Sequence, residues 1–198
     1  ANPLINLVIM LLIVIGGIGF LTWDDFCTNK WNLKRYRLQS KIILVTTAVL
    51  ILLPAIFFFL SDFAGFSMGK RILASFFQSV TLRTAGFNTA DLGAMNDSSK
   101  AIMTLMMLIG GSPGSTAGGM KTTTIAVLIL NAFATFGREP ETEVFGRRFD
   151  NTVVKNAATI AILYFFLFFA GGIAISQIEH IASVSYTHLR AHETELHL

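Results

Sequence analysis

Residues 110–119, Gly-Gly-Ser-Pro-Gly-Ser-Thr-Ala-Gly-Gly, interrupt an apolar segment that runs from about 99 to 136. These ten residues include five glycines and one proline, a composition that a straight helix does not tolerate. An unbroken helix over the whole segment would be about 57 Å long, nearly twice the thickness of the hydrocarbon core of a bilayer. The upstream part, 99–109, is half a membrane long, so the break is expected near the bilayer midplane.

Lys121 follows this break and is therefore expected at or near membrane depth. An ionisable residue at that depth indicates a functional site by default. Two other interpretations remain open: the long side chain reaches the cytoplasmic interface, or it pairs with a carboxylate elsewhere in the chain.

Charged residues are distributed unevenly. The 198 residues include 15 Lys and Arg and 12 Asp and Glu, with a net charge of +3. Just over half of the chain carries none of them, in the windows 1–23, 42–61, 101–120, 122–137 and 156–178. Helices of a soluble protein must present a polar face to water, so this pattern excludes a soluble globule and a disordered chain. It predicts an all-α polytopic membrane protein in contact with lipid. The Lys and Arg residues lie beside the predicted spans, as the flanks of membrane helices do, so they do not indicate a nucleic-acid partner.

The predicted spans fix an orientation. We place them at about 3–22, 42–60, 99–136 with its break, and 156–178. The connections 24–41 and 137–155 are short and carry Lys and Arg, so the positive-inside rule places both in the cytoplasm. Connections on the same side of a membrane must be separated by an even number of spans. Two predicted spans lie between these connections, which satisfies this condition. The segment 61–98 is then external.

The external segment has an unusual pattern. Residues 70–80, KRILASFFQSV, have one apolar helical face and a length of about 16 Å, enough for half a bilayer. The polar, glycine-bearing stretch 83–89 follows. One interpretation is a re-entrant pore loop, with irregular backbone buried in protein or lining a wet cavity. The other is an amphipathic helix on the outer surface, and the pattern alone leaves both open.

Two of these stretches resemble one family. The stretch 83–89, RTAGFNT, resembles a selectivity-filter segment of the Trk/Ktr/HKT superfamily of potassium transporters. Residues 110–124, GGSPGSTAGGMKTTT, resemble the interrupted inner helix of its bacterial KtrB/TrkH-like pore-forming subunits. Ile18-Gly19-Phe20 with Trp23-Asp24-Asp25 resembles the end of the preceding inner helix. The resemblance extends over roughly 1–183.

The resemblance implies a pseudo-fourfold pore of four covalently joined helix–pore-loop–helix repeats. Residues 1–23 would be the inner helix of the preceding repeat, 42–136 a complete repeat, and 156–178 the outer helix of the next. Within the complete repeat, the implied parts are outer helix 42–60, pore helix 70–80, filter 83–89 and broken inner helix 99–136. One filter segment of four is then present, so the chain is expected to be a fragment that does not conduct alone.

The implied filter binds the ion through backbone carbonyl oxygens that replace its hydration shell. The residues assigned to it are Thr84, Ala85, Gly86, Phe87 and Asn88. Gly86 is expected to adopt the dihedral angles that glycine alone reaches cheaply. Arg83 is expected to brace the filter from behind by hydrogen bonds, since a cation in the path would repel the substrate.

The resemblance also assigns a gate beneath the filter. Its residues are Gly110, Gly111, Ser112, Pro113, Gly114, Ser115, Thr116, Ala117, Gly118, Gly119 and Lys121. Because most of these side chains are small, we expect the gate to have little packing and to be flexible.

The function implied is uptake of potassium, or another monovalent cation, across a bacterial cell membrane. No enzymatic activity, cofactor or metal other than the transported K⁺ is expected. Implied partners are a second copy of the pore subunit and a cytosolic nucleotide-binding regulatory subunit. Alternatives are a pore-loop cation channel subunit of another family, or a membrane enzyme or assembly component, although the uncharged windows lack the paired His, Asp or Glu that the latter needs. The tail 184–198 resembles translated sequencing-adapter read-through and is set aside.

Overall fold

The computed structural model describes residues 2–30, 32–90, 92–93, 95–138 and 143–179, so the tail 184–198 lies outside the described residues. Its helices are α1 (Pro3–Ile18), α2 (Phe20–Asn29), α3 (Leu38–Ser61), α4 (Met68–Thr81), α5 (Asp97–Leu108), α6 (Thr122–Phe136) and α7 (Asn151–Glu179). A 3₁₀ turn at Leu33–Arg35 and a hairpin of two antiparallel strands, β1 (Glu143–Val144) and β2 (Arg147–Arg148), complete the described elements. The predicted all-α polytopic fold is confirmed.

Within the described residues, two unbroken helices are long and apolar enough to cross a membrane: Leu38–Ser61 and Asn151–Ala174. Both begin earlier than the predicted spans at 42 and 156. The first turn of α3 is held because the hydroxyl of Ser40 donates to the buried carboxylate of Asp25 at 2.6 Å. The carboxylate of Asp150, just before α7, accepts from the Thr152 amide at 3.0 Å.

The first predicted span is not one helix. α1 ends at Ile18, and α2 leaves it at an angle of 93°. The bend is centred on Gly19, whose φ of 90° favours glycine. The indole Nε1 of Trp23 donates to the carbonyl oxygen of Ile15 at 3.0 Å across the bend. The span predicted at 3–22 therefore contains a bend, and α2 continues into the start of the predicted connection 24–41.

The third predicted span is broken where its glycines are. α5 ends at Leu108 and α6 begins at Thr122, with irregular backbone between them. The predicted break at 110–119 is confirmed. Neither α5, with 12 residues, nor α6, with 15, reaches the roughly 20 residues that a complete span needs.

α4 packs against both α1 and α3 rather than lying on an outer surface. Phe77 and Val80 are buried on its inner side. The hydroxyl of Ser79 donates to the carbonyl oxygen of Ile51, in the middle of α3, at 2.6 Å. This arrangement agrees with the re-entrant interpretation of the segment.

The main apolar cluster lies between α3, α4 and α5. Its buried members are Phe58, Phe63, Leu82, Met95 and Met103. Leu82 directly follows α4, so the cluster anchors the point at which the chain leaves the half-helix.

The two basic connections lie at the same end of the molecule. The ammonium group of Lys41 is 5.9 Å from the centre of the Phe145 ring, in the hairpin before α7. This contact places 24–41 near 137–155. Two connections that are separated by two spans are expected on the same side of a membrane, and the contact agrees with this. That this end faces the cytoplasm stays a prediction.

Candidate functional site

The predicted filter segment begins with a turn that contains two residues of positive φ. α4 ends at Thr81, Thr84 has a φ of 61° and Gly86 a φ of 77°. A non-glycine residue in this region costs on the order of 1–3 kcal/mol, so Thr84 is held there by its surroundings. Such strain concentrates at functional sites.

The filter segment is fixed at both ends and open along one side. The hydroxyl of Thr81 donates to the carbonyl oxygen of Phe87, and the amide of Ala85 donates to the carbonyl oxygen of Thr81 at 3.2 Å. Thr84 and Asn88 are exposed. The segment therefore presents strained backbone away from the core.

Arg83 lies beneath this turn. It is 5% exposed, and its guanidinium lies 3.7 to 3.8 Å from the position that a Cβ of Gly17 would take. None of its three guanidinium nitrogens has a hydrogen-bond partner in the described part of the chain. The hydrogen bonds expected from Arg83 to the filter are thus not seen there. Its position near the C-terminal end of α1 is one that favours a cation.

The loop between α5 and α6 is closed by its own hydrogen bonds. The amide of Gly110 donates to the carbonyl oxygen of Met120 at 2.9 Å, and the amide of Met120 donates to that of Leu108 at 3.2 Å. Inside the loop, the hydroxyls of Ser112 and Thr122 are 3.1 Å apart, and both residues are buried. The two ends of the loop therefore lie side by side.

The same loop is bound to the bend between α1 and α2. Three main-chain hydrogen bonds join them: Ser112 N to Gly17 O (3.0 Å), Thr116 N to Gly16 O (3.3 Å) and Phe20 N to Gly114 O (3.1 Å). Two breaks that are about 100 positions apart in sequence thus satisfy each other's backbone groups. The expectation that the loop has little to hold it in one conformation is wrong.

Glycines permit this close approach. A Cβ on Gly19 would overlap the carbonyl oxygen of Pro113, and a Cβ on Gly110 would overlap the carbonyl oxygen of Gly118. These are main-chain atoms, which cannot turn aside as a side chain does. At both positions only glycine fits the observed backbone.

Lys121 ends the loop. It is half-buried, and its ammonium group donates to the carbonyl oxygen of Ala117 at 2.9 Å. The lysine is therefore bound to the loop itself, an arrangement that the three sequence-based interpretations did not include.

Sequence reasoning missed Gly16 and Gly17 as part of the site. Both lie in α1 and supply carbonyl oxygens to the loop. The available signal was a cluster of three glycines within four residues, at 16, 17 and 19, at the end of an apolar span. Nothing in the sequence indicated which segment would bind there.

The structure combines a re-entrant half-helix, a strained, outward-facing turn after it, and two broken apolar helices beside it. This combination is typical of a membrane transport protein. Residues 1–190 match the family model TrkH, described as cation transport protein. The chain therefore belongs to the TrkH family of cation transport proteins, which confirms the predicted superfamily. The match favours a transporter over the alternatives of an unrelated channel subunit and a membrane enzyme.

Relatives with names agree with this family. The chain is 35% identical over 164 residues to the potassium/sodium uptake protein NtpJ of Enterococcus hirae, covering 80% of this chain and 36% of that protein. It is 32% identical over 181 residues to the Ktr system potassium uptake protein B of Bacillus subtilis, covering 88% of this chain and 40% of that protein. The chain thus spans well under half the length of these relatives.

A solved structure shows the same fold. The potassium transporter TrkH from Vibrio parahaemolyticus superposes with a TM-score of 0.72 at 22% sequence identity. The similarity covers 89% of this chain and 40% of that one.

Proposed function

We propose that this chain forms part of the pore of a protein that takes up potassium, or another monovalent cation, across the bacterial cell membrane. The family and the names of its relatives support the class of substrate. In this proposal α1 and α2 are the inner helix of one repeat, α3 to α6 a complete repeat, and α7 the outer helix of the next. Three more filter segments complete the pore, so this chain does not conduct alone.

The filter assignment rests on the turn after α4. The helix α4 that leads into this turn has 14 residues and is about 21 Å long. Its C-terminal end therefore lies partway into a bilayer. That end carries the negative pole of the helix dipole and favours a cation. Positive φ at Thr84 and Gly86, on either side of Ala85, rotates successive peptide groups out of a regular strand. This pair of positive φ angles, one of them on a strained threonine, is the single observation that carries the proposal.

The carbonyl oxygens differ in their availability to an ion. That of Phe87 already accepts a hydrogen bond from Thr81. We therefore propose Thr84, Ala85 and Gly86 as the main ligands and Asn88 as the next along the path, with Phe87 as the weakest of the five. Dehydrated K⁺ exchanges its water for these oxygens as it enters.

The gate assignment rests on the loop between α5 and α6. It lies in the middle of an interrupted apolar helix and includes Lys121, whose charge at that depth repels a cation that approaches the loop. We propose that the loop obstructs the path below the filter and must move for ions to pass.

Partners are proposed from the same comparisons. The names of two relatives from Bacillus subtilis, the Ktr system potassium uptake proteins B and D, describe each as part of a Ktr system. We propose that this protein likewise acts with a cytosolic nucleotide-binding regulatory subunit and forms homodimers of the pore subunit. The connections 24–41 and 137–155, which meet at Lys41 and Phe145, offer the surface for the regulatory subunit.

The test is complementation of a bacterial strain that lacks potassium uptake, using a full-length gene that contains this segment. We expect growth at low external potassium and saturable uptake of Rb⁺ as a potassium tracer. A properly inserted, folded protein that supports neither would overturn the proposed function.

A further inference from the structure

The bend between α1 and α2 is the surface against which the loop 110–119 rests. Amide groups at Ser112 and Thr116 find their acceptors on α1, and the amide of Phe20 at the start of α2 finds its acceptor on the loop. Each of these groups is freed by a helix break, since a continuous helix would have paired it internally.

Separating the two breaks is costly at membrane depth. Backbone groups in the hydrocarbon region have no water to bind, and they must be satisfied by protein or by a wet cavity. The loop is therefore stable while it is bound to α1, and it must exchange three hydrogen bonds when it leaves. This gives two discrete arrangements rather than a freely mobile segment.

The same surface reaches the filter. Gly17, whose carbonyl oxygen accepts from Ser112, lies against the buried guanidinium of Arg83. Arg83 in turn adjoins Thr84, the strained residue of the filter turn. The surface of α1 at Gly16 and Gly17, on which the loop docks, thus lies between the proposed filter and the proposed gate.

We infer that the α1–α2 bend is the second half of the gate: the loop obstructs the path when docked on Gly16 and Gly17, and opening releases it. Gly16, Gly17 and Gly19 are positioning residues, because they hold the loop without touching the ion. The inference rests on the proposed function, since it assumes that the loop 110–119 is the gate.

The geometry offers a direct test by cross-linking. A Cβ on Gly16 would lie 3.1 Å from the hydroxyl oxygen of Thr116. In a disulfide, the distance from the Cβ of one cysteine to the sulfur of the other is about 3 Å. The pair Gly16→Cys and Thr116→Cys should therefore form a disulfide only while the loop is docked.

The experiment uses a cysteine-free version of the full-length protein, with Cys27→Ser, in liposomes. The double variant is oxidised with copper phenanthroline, free thiols are counted by a maleimide-polyethylene glycol gel shift, and Rb⁺ uptake is measured before and after reduction. We expect both thiols to disappear on oxidation and uptake to fall about tenfold or more, with recovery on reduction. Each single-cysteine variant should be unaffected by the oxidant.

Two results would overturn the inference while leaving the proposed function intact. One is failure of the disulfide to form in a protein that takes up Rb⁺. The other is complete disulfide formation with unchanged uptake, which would mean that the loop need not leave α1. Absence of uptake in the cysteine-free parent would instead overturn the proposed function, and this inference with it.

A glycine substitution provides a second measurement. Gly19→Ala introduces a Cβ that overlaps the carbonyl oxygen of Pro113, so it should displace the loop and slow disulfide formation several-fold. Gly146→Ala is the matched control, because Gly146 has a similar positive φ of 74° and open space around its Cβ position. Equal rates of disulfide formation in these two variants would contradict the docking geometry.

Discussion

Gly86 and Thr84 have positive φ values of 77° and 61° in the filter turn, a region in which threonine is strained and glycine is not. At Gly86 a side chain in this region costs about 1–2 kcal/mol and rotates the neighbouring peptide groups. We expect Gly86→Ser to lower the preference for K⁺ over Na⁺, because carbonyl oxygens displaced from the axis no longer match the hydration shell that they replace. The measurement is competitive uptake of K⁺ and Na⁺ by the full-length protein.

Gly146→Ser is the matched control for this variant. Gly146 lies in the hairpin between β1 and β2, has a φ of 74° and has no atom near its Cβ position. It should leave the ion preference unchanged at a similar cost in backbone strain. An unaltered K⁺/Na⁺ uptake ratio in Gly86→Ser would count against the filter assignment.

At the same scale, the sequence predicts the special role of Gly86 better than that of Thr84. Glycine in a polar stretch after a short helix indicates positive φ. Threonine does not, and Thr84 adopts it because the chain is fixed on either side: before it, Leu82 is buried, and after it, the carbonyl oxygen of Phe87 accepts a hydrogen bond from Thr81. The positive φ of Gly86 can therefore be predicted from the sequence. The contacts that hold Thr84 in the same region cannot.

The loop between α5 and α6 contains glycines with different constraints, which allows a comparison within one element. A Cβ on Gly119 would meet the amide nitrogen of Gly110 at 3.0 Å, and Gly119 has a φ of 72°. Gly118 has no atom within 4 Å of its Cβ position. We expect Gly119→Ala to change the rate of Rb⁺ uptake far more than Gly118→Ala.

Both loop variants should leave the ion preference largely intact, because they lie outside the filter. The triple variant Gly114→Ala, Gly118→Ala, Gly119→Ala should follow the same pattern with a larger change in rate. A collapse of K⁺ preference with an unchanged rate would show that the loop belongs to the filter and is not a gate.

A second element-scale contact joins the outer end of α3 to the start of α5. Burial of Asp62 raises its pKa, but hydrogen bonds from the hydroxyls of Ser61 and Ser99 and from the backbone amide of Asn96 together outweigh this and lower the pKa below its usual value. A carboxylate with a lowered pKa in the folded state stabilises the fold above its unfolded pKa. That stabilisation is lost as pH falls through the folded pKa.

We therefore expect acid to loosen the join between α3 and α5. Asp62→Asn should destabilise the folded protein by about 1–3 kcal/mol at neutral pH, since it removes hydrogen bonds to a charged acceptor. It should also flatten the acid limb of the stability profile, measured by thermal unfolding in nanodiscs between pH 3 and pH 7. Asp150→Asn is the control, because the pKa of Asp150 is also lowered but only by hydrogen bonds from Thr152 on the helix that it precedes; it should flatten the acid limb less. Equal profiles for the two variants would contradict the bridging role.

The helix breaks show what a sequence reveals about elements. Five glycines and a proline within ten residues predict the break at 110–119 from composition alone. The sequence does not predict the bend at Gly19, because glycines, even clustered as at 16, 17 and 19, are tolerated in membrane helices when neighbours satisfy the backbone. What requires glycine at the bend is Pro113, whose carbonyl oxygen occupies the space that a Cβ of residue 19 would take. That contact is long-range and leaves no local pattern.

For the whole molecule, charge distribution was the most informative signal. Windows without charge located the apolar helices, and the positive-inside rule required both basic connections to lie on one side. The contact between Lys41 and Phe145 places them at one end. The apolar faces of α1, α6 and α7 are widely exposed, with Leu12, Phe133 and Leu167 among the most exposed side chains. Such surface suits lipid and the further repeats of a larger pore.

The most direct measurement is an anomalous-difference map of the full-length protein crystallised in Rb⁺. We expect a peak on the pore axis beside the carbonyl oxygens of Thr84, Ala85 and Gly86, above the docked loop 110–119. Bound Rb⁺ at other positions only, with the 84–88 backbone turned toward lipid or bulk water, would contradict it.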